Sequence, residues 1–159
     1  MTVADLRELF AYDDWANARL FRAAAAVPAA QFAGPLRETL AHIVVEEWIW
    51  LRRCQGQNPA GPPAEMGSKD ADTLIRMLTA IEQERRAFLA ALSEDALDAV
   101  VTFRSLEGHA YQHRVKDLLF HILNHSTYHR GQVARLLREA DLAPPETDFV
   151  VYREALGDA

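Results

Sequence analysis

Residues 121–133 read HILNHSTYHRGQV and set His121, His125 and His129 at successive intervals of four in a chain that holds six histidines. On a helix, positions i and i+4 stand one above the other on a single face, so these imidazoles either converge on one ion or recur as ordinary polar packing. The apolar residues around them set the local structure. Leu118, Ile122, Val133 and Leu136 share one face at about 100° per residue, which predicts a helix from about Arg114 to Ala140, closed by Pro144-Pro145. On that wheel His129 lies at the centre of the stripe, His125 about 40° to one side and His121 about 80° away beside Tyr128 and Gln132, with Arg130 and Arg138 on the far side. His125 and His129 therefore face the interior more squarely than His121. A lone core-facing histidine is more often a hydrogen-bonded packing residue than a ligand. Two in one layer weigh the other way, because one cation satisfies both while burial as neutral imidazoles needs two sets of partners.

Helix two, in LAHIVVEEWIWLRRC at 40–54, carries a polar line of its own. His42, Glu46 and Arg53 are flanked by Ile43 and Trp50 on one side and by Val45 and Ile49 on the other. Either this line borders an interior site, or it is a solvated face with Val44, Trp48 and Leu51 buried instead. Helix one repeats the anomaly, since its stripe Leu6, Phe10, Leu20 has Asp13 and Asn17 at its centre.

The remaining boundaries follow from caps and breakers. Thr2 with Asp5 resembles a capping box opening helix one, which runs to about Ala26 before Pro28 and Gly34-Pro35 stop it. Helix two spans Leu36 to about Cys54 and ends at GQNPAGPPAEMG, a loop or crossover. Ser68 and Asp70 offer N-caps for helix three, which extends to about Leu92, with Leu74, Met77, Leu78, Ile81, Phe88 and Leu92 as core and Glu82, Glu84, Arg85 and Arg86 as a mixed charged surface. Residues Ala99 to Arg104 and His109 to His113 alternate around Ser105-Leu106-Glu107-Gly108 as a small hairpin or irregular excursion, leaving His109 and His113 exposed. The tail TDFVVYREAL packs back on the body as a short strand or helical turn. The expected fold is all-α: one domain over 1–159, a four-helix bundle with crossover connections.

Composition restricts function. Half of the 159 residues are apolar and a quarter charged, as a packed domain requires, and the net charge of −6 argues against a direct nucleic-acid partner. The start MTVADLRELFAYDD lacks the n- and h-regions of a leader, and no stretch approaches the ~20 apolar residues of a membrane span, so no membrane partner and a cytoplasmic location are expected. Cys54 is the single cysteine and sits without a partner histidine, so it is a poor nucleophile and any metal must rely on histidine and carboxylate.

With YDDWANARLF at 12–21, LAHIVVEEWIW at 40–50, NHSTYHRGQV at 124–133 and TDFVVYRE at 147–154, nearly the whole chain resembles the DinB (damage-inducible) family, within the wider DinB and YfiT-like metalloprotein superfamily. The resemblance implies four long helices, commonly paired as a homodimer, and a divalent metal held by His42, His125 and His129. His121 is then a neighbour of the site or a packing residue. Three imidazoles leave one position of a four-coordinate ion free, and imidazole suits zinc, nickel or iron alike. Glu46, one turn after His42, is the candidate general base or orienting residue, or else a salt-bridge partner of Arg53. Asp13 and Asn17 are weaker candidates of the same kind. Members of the superfamily include transferases using low-molecular-weight thiols (bacillithiol, mycothiol, glutathione) and metal-dependent hydrolases. The preferred expectation is a metal-dependent thiol transferase acting on a small-molecule substrate in stress or detoxification. The alternatives are a metal-dependent hydrolase and a non-catalytic metal-binding stress protein. An anionic cofactor would find Arg53 or Arg130. For the dimer, Ala4, Ala11, Trp15 and Ala18 offer a contact on helix one, unless Trp15 packs under its own chain's tail. Gly131, costly within a helix by ~1 kcal/mol, implies close approach of a neighbouring helix or chain.

Overall fold

The structure, a computed structural model, describes residues 1–28, 32–67, 70–105 and 107–157. It is mostly helical. Four long helices, α1 (Val3–Ala25), α2 (Gly34–Cys54), α3 (Ala71–Ala91) and α4 (Val115–Glu139), are joined by a short C-terminal α5 (Phe149–Ala155) and a hairpin of β1 (Val100–Arg104) and β2 (Ala110–Arg114). Single 3-10 turns interrupt the connections at Ala64–Met66 and Asp95–Asp98. Helix α2 packs on α4 and α3, and α1 packs on α3 and α4, so each long helix touches two others.

The local chemistry explains the ends. The Thr2 hydroxyl accepts from the Asp5 amide at 3.1 Å while the Asp5 carboxylate accepts from the Thr2 amide at 2.7 Å, a complete capping box. Gly34-Pro35 does not lie outside α2 as expected but forms its first turn, where proline's missing N–H is one that a helix leaves unpaired anyway. Asp70 caps α3 by accepting from Thr73 at 2.9 Å, while the alternative Ser68 lies outside the described residues. Helix α4 stops before its prolines: Asp141 turns left-handed at φ 58°, and the amides of Asp141 and Leu142 return to the carbonyls of Arg138 and Leu137. The hairpin pairs Val100 with Arg114 through Arg104 with Ala110, and Gly108 supplies the positive φ of 91° its turn requires; Leu106 of that turn lies outside the described residues. The tail is helical, and α5 covers Trp15, whose ring lies 5.5 Å from that of Tyr152. The packing of Trp15 under its own chain's tail, one of its two readings, is thus present.

Two apolar clusters fill the interior, one around Leu20, Leu40, Val44, Leu74 and Leu137, the other around Leu6, Phe10, Leu89, Leu119 and Ile122. Each fully buried side chain of this size contributes roughly 1.5–3 kcal/mol. Between them lies a layer of charge. Along α1, Asp13, Asp14 and Asn17 fall between Phe10 and Leu20, and along α4, Ser126 and Arg130 fall between Leu123 and Val133; all five are buried. Arg85 of α3 is 0% exposed and bonds Asp14 and Glu47, and Arg130 bonds Asp13, Asn17 (3.1 Å) and Ser126 (2.9 Å). Two expectations are thereby corrected. Arg85 and Glu82 are interior rather than surface residues, and Arg130 does not face away from the core. The buried face of α4 is rotated from the expected stripe toward Leu119, Ser126, Arg130 and Leu137, because Asp13 and Asn17 of α1 demand polar partners opposite them.

Candidate metal centre

That rotation moves the histidines from the middle of the stripe to its edge. His125 and His129 are half-buried on α4, and His42 of α2 reaches solvent beside them. The three present one ring nitrogen each, and these atoms all lie within 4.8 Å of one another. The His42 ring centroid stands 4.4 Å from that of His129 and 5.1 Å from that of His125. Among the described residues no other histidine, cysteine or acid joins the group.

The donor chemistry suits a cation. Nε2 of His125 and Nε2 of His129 are 3.0 Å apart, and Nδ1 of His129 stands 2.9 Å from Oε1 of Gln132. A carbonyl oxygen only accepts, so the proton of His129 sits on Nδ1 and its Nε2 offers a lone pair. Two such nitrogens at this distance need a proton or a cation between them. Burial, followed by the neighbouring His129, His42 and His121, pushes the pKa of His125 down to about 4, which keeps it a neutral donor at physiological pH. Burial also lowers His42, against the opposing pull of Glu46. Gln132 was legible only as a neighbour of His121; its i+3 spacing from His129 is the signal for its orienting role.

The other candidates fall into separate places. Glu46 does not join the imidazoles, and it forms no ion pair with Arg53; its Oε2 accepts the indole N–H of Trp50 at 2.7 Å. His121 packs edge-on against Trp50 with centroids 4.4 Å apart and lies 5.5 Å from His125, beside the group rather than in it. Asp13 and Asn17 serve Arg130 and each other, not the histidines. Cys54 is 4% exposed, and burial pushes its thiol up to about 12, so it is inert as a nucleophile. Within the helix-two line, both earlier readings hold in part: Val44 and Leu51 are buried, yet so is Arg53, while His42 faces solvent. A cleft of about 260 Å³ opens onto His42 and His129 and is bordered by Pro35, Glu38, Thr39 and Gln132. Pro35 stood out in the sequence only as a helix breaker, and Glu38 and Thr39 did not stand out at all.

With this geometry, comparison with known proteins is informative. The DinB family profile matches residues 1–157. Protein DinB of Bacillus subtilis is 22% identical to this chain over 91% of each. The crystal structure of a DinB-like protein from Bacillus cereus superposes with a TM-score of 0.62 at 18% identity, covering 91% of this chain and 97% of that one, which is a likeness of fold. No helix among the described residues is long and apolar enough to cross a membrane.

Proposed function

This chain belongs to the DinB family, and on that premise we propose that it is a divalent-metal-dependent enzyme, preferentially a thiol transferase acting on a small molecule in stress or detoxification. Three imidazoles from two helices with ligand atoms within 4.8 Å of one another carry this reading. Three protein ligands and a free direction are the pattern of catalytic rather than structural sites, which close on four. A structural site would need a fourth protein ligand, and neither His121 nor Glu46, the side chains that could supply one, belongs to the group. An ion held there, zinc, nickel or iron by ligand type, supplies the positive charge that makes a thiol or a water nucleophilic at neutral pH.

The chain's own residues do the rest. His42, His125 and His129 hold the ion, and Gln132 fixes the His129 tautomer. Trp50 holds one oxygen of Glu46, and the other, which accepts from no described residue, takes the proton of an incoming thiol. Glu38 and Thr39 border the path by which substrate enters. We further read the four long helices as a bundle with crossover connections and the functional unit as a cytoplasmic homodimer. Phe120 and Tyr128, 55% and 66% exposed on α4, are apolar surface for it to cover, and sedimentation at the mass of one 17.9 kDa chain would remove that part.

The decisive experiment incubates metal-loaded protein with a panel of low-molecular-weight thiols and monochlorobimane. Thiol-dependent conjugation that disappears in a folded His125→Ala variant is the expected result. Metal-dependent cleavage of esters without thiol consumption would replace the transferase by the hydrolase, and turnover of neither would leave a non-catalytic metal protein.

A further inference from the structure

The sequence offers two arginines for an anionic ligand, Arg53 and Arg130, and the fold separates them. Arg130 is committed to Asp13, Asn17, Ser126 and Thr127. Arg53 has no such partner. It is 6% exposed at the end of α2, and its guanidinium carbon lies 4.3 Å from the ring centroid of Trp50 and 4.6 Å from that of Phe103, two rings set edge to face. No described residue bonds or ion-pairs with it, and its Nε is buried without an acceptor. Glu46, close enough to act on it electrostatically, is bonded to Trp50 instead.

Burying a guanidinium without a counter-ion is costly, and buried polar groups are ordinarily satisfied. The guanidinium carbon packs against two rings that meet at 89°, and no described residue bonds its N–H groups, a fork that matches the two oxygens of a carboxylate. The surroundings extend toward the histidines. Trp50 touches His121, which neighbours His125, and on the other side Phe103 stacks on Tyr111 at 5.8 Å and lies 6.0 Å from His113, both exposed on β2. We infer that Arg53, with the aromatic shelf of Trp50, Phe103 and Tyr111, receives the carboxylate end of the small molecule on which the histidine centre acts. The inference rests on the reading of His42, His125 and His129 given above. The competing role for Arg53 is a pillar that only holds the hairpin to α2.

The test titrates 3-phenylpropionate and its uncharged amide into the full chain, metal-loaded and metal-free, and follows the Trp50 indole N–H by NMR, assigned with Trp50→Phe. The acid is expected to bind about ten-fold or more tightly than the amide and to move that resonance, as a charge-assisted forked contact implies. In Arg53→Met, which keeps an unbranched apolar stem against the two rings, the preference falls to within about two-fold of unity with metal content unchanged. Arg53→Lys, which keeps charge but not the fork, gives an intermediate preference and serves if the methionine variant does not fold. Equal binding of acid and amide to the parent, or an unchanged preference in Arg53→Met, overturns the inference and makes Arg53 the pillar. An acid preference that persists while the protein fails to take up metal sustains the subsite and removes the metal reading; stoichiometric metal without acid preference removes the subsite alone.

Discussion

Glu46 and Glu47 are neighbours in sequence, as are His129 and Arg130, yet each pair is divided between two polar regions that solve opposite problems. Glu47 and Arg130 turn inward, where Asp13, Asp14, Asn17 and Arg85 form a network whose donors and acceptors are almost all used on one another; Oε1 of Glu47 and Nε of Arg85 are its unpartnered buried atoms. Glu46 and His129 lie one step around their helices at the rim, where three imidazoles bring ring nitrogens within 4.8 Å of one another. A polar residue in an apolar stripe is thus not by itself a sign of chemistry. The distinguishing feature is bonding capacity that the fold leaves unused.

The largest expected effect tests the interior. Arg85→Met keeps most of the volume but leaves the buried Glu47 carboxyl without its partner and Asp14 with Arg86 alone, and should cost about 3–5 kcal/mol in urea unfolding without changing the metal bound per folded molecule. A cost under about 1 kcal/mol would mean the network is not what holds the helices in register.

The two regions should also respond to pH with opposite sign. Burial, with Arg85 opposing and Asp13 and Asp14 adding, pushes the Glu47 carboxyl up to about 8, and burial followed by Asp14 does the same to Glu82. A raised carboxyl stabilises the folded state most below its ordinary value of 4.5, and that contribution is lost as pH rises to about 8. His125 is the reverse: held down at about 4 from an ordinary 6.5, it contributes stability above 6.5 that is lost as pH falls toward 4. Glu47→Gln should therefore flatten the alkaline limb of a stability profile of metal-free protein, and His125→Gln the acid limb. A single variant flattening both limbs would show the regions to be one coupled system.

His125→Ala and His42→Ala should each abolish stoichiometric metal in elemental analysis of untagged protein, while shifting metal-free stability by no more than about 1 kcal/mol, since both side chains lie at the rim. Retention of metal by either would return the histidines to packing. The smallest effect marks the part of α4 that belongs to neither region. Gly131 is exposed, and an added Cβ meets nothing within 4 Å, so the expected close approach of a helix in the same chain is not there. Gly131→Ala should raise stability by about 1 kcal/mol in thermal unfolding. A loss instead would locate a second chain against that face.

What was legible in the sequence follows the same division. Spacing and caps announced the long helices and the hairpin, because these depend on residues three or four apart. The i, i+4 pair His125 and His129 was legible for that reason too, and His42 through the family's motifs. Asp13 and Asn17 stood out as misfits, but their partners did not: an arginine on a helix wheel carries no mark of whether a carboxylate waits opposite, so Arg85 and Arg130 read as surface. That omission displaced the buried face of α4, since Leu136, only partly buried, counted as core while Ser126 and Arg130 did not. Glu46 stayed ambiguous because its partner, Trp50, was counted among the apolar flank.

Trp50 links Glu46, one turn before it on α2, Arg53, one turn after it, and His121 of α4. The other two tryptophans are placed differently, Trp15 under α5 and Trp48 beside Arg52. The molecule thus carries a native optical probe at its working end. In a Trp15→Phe, Trp48→Phe background, fluorescence emission and quenching would follow events at the histidines in real time, with no dye attached.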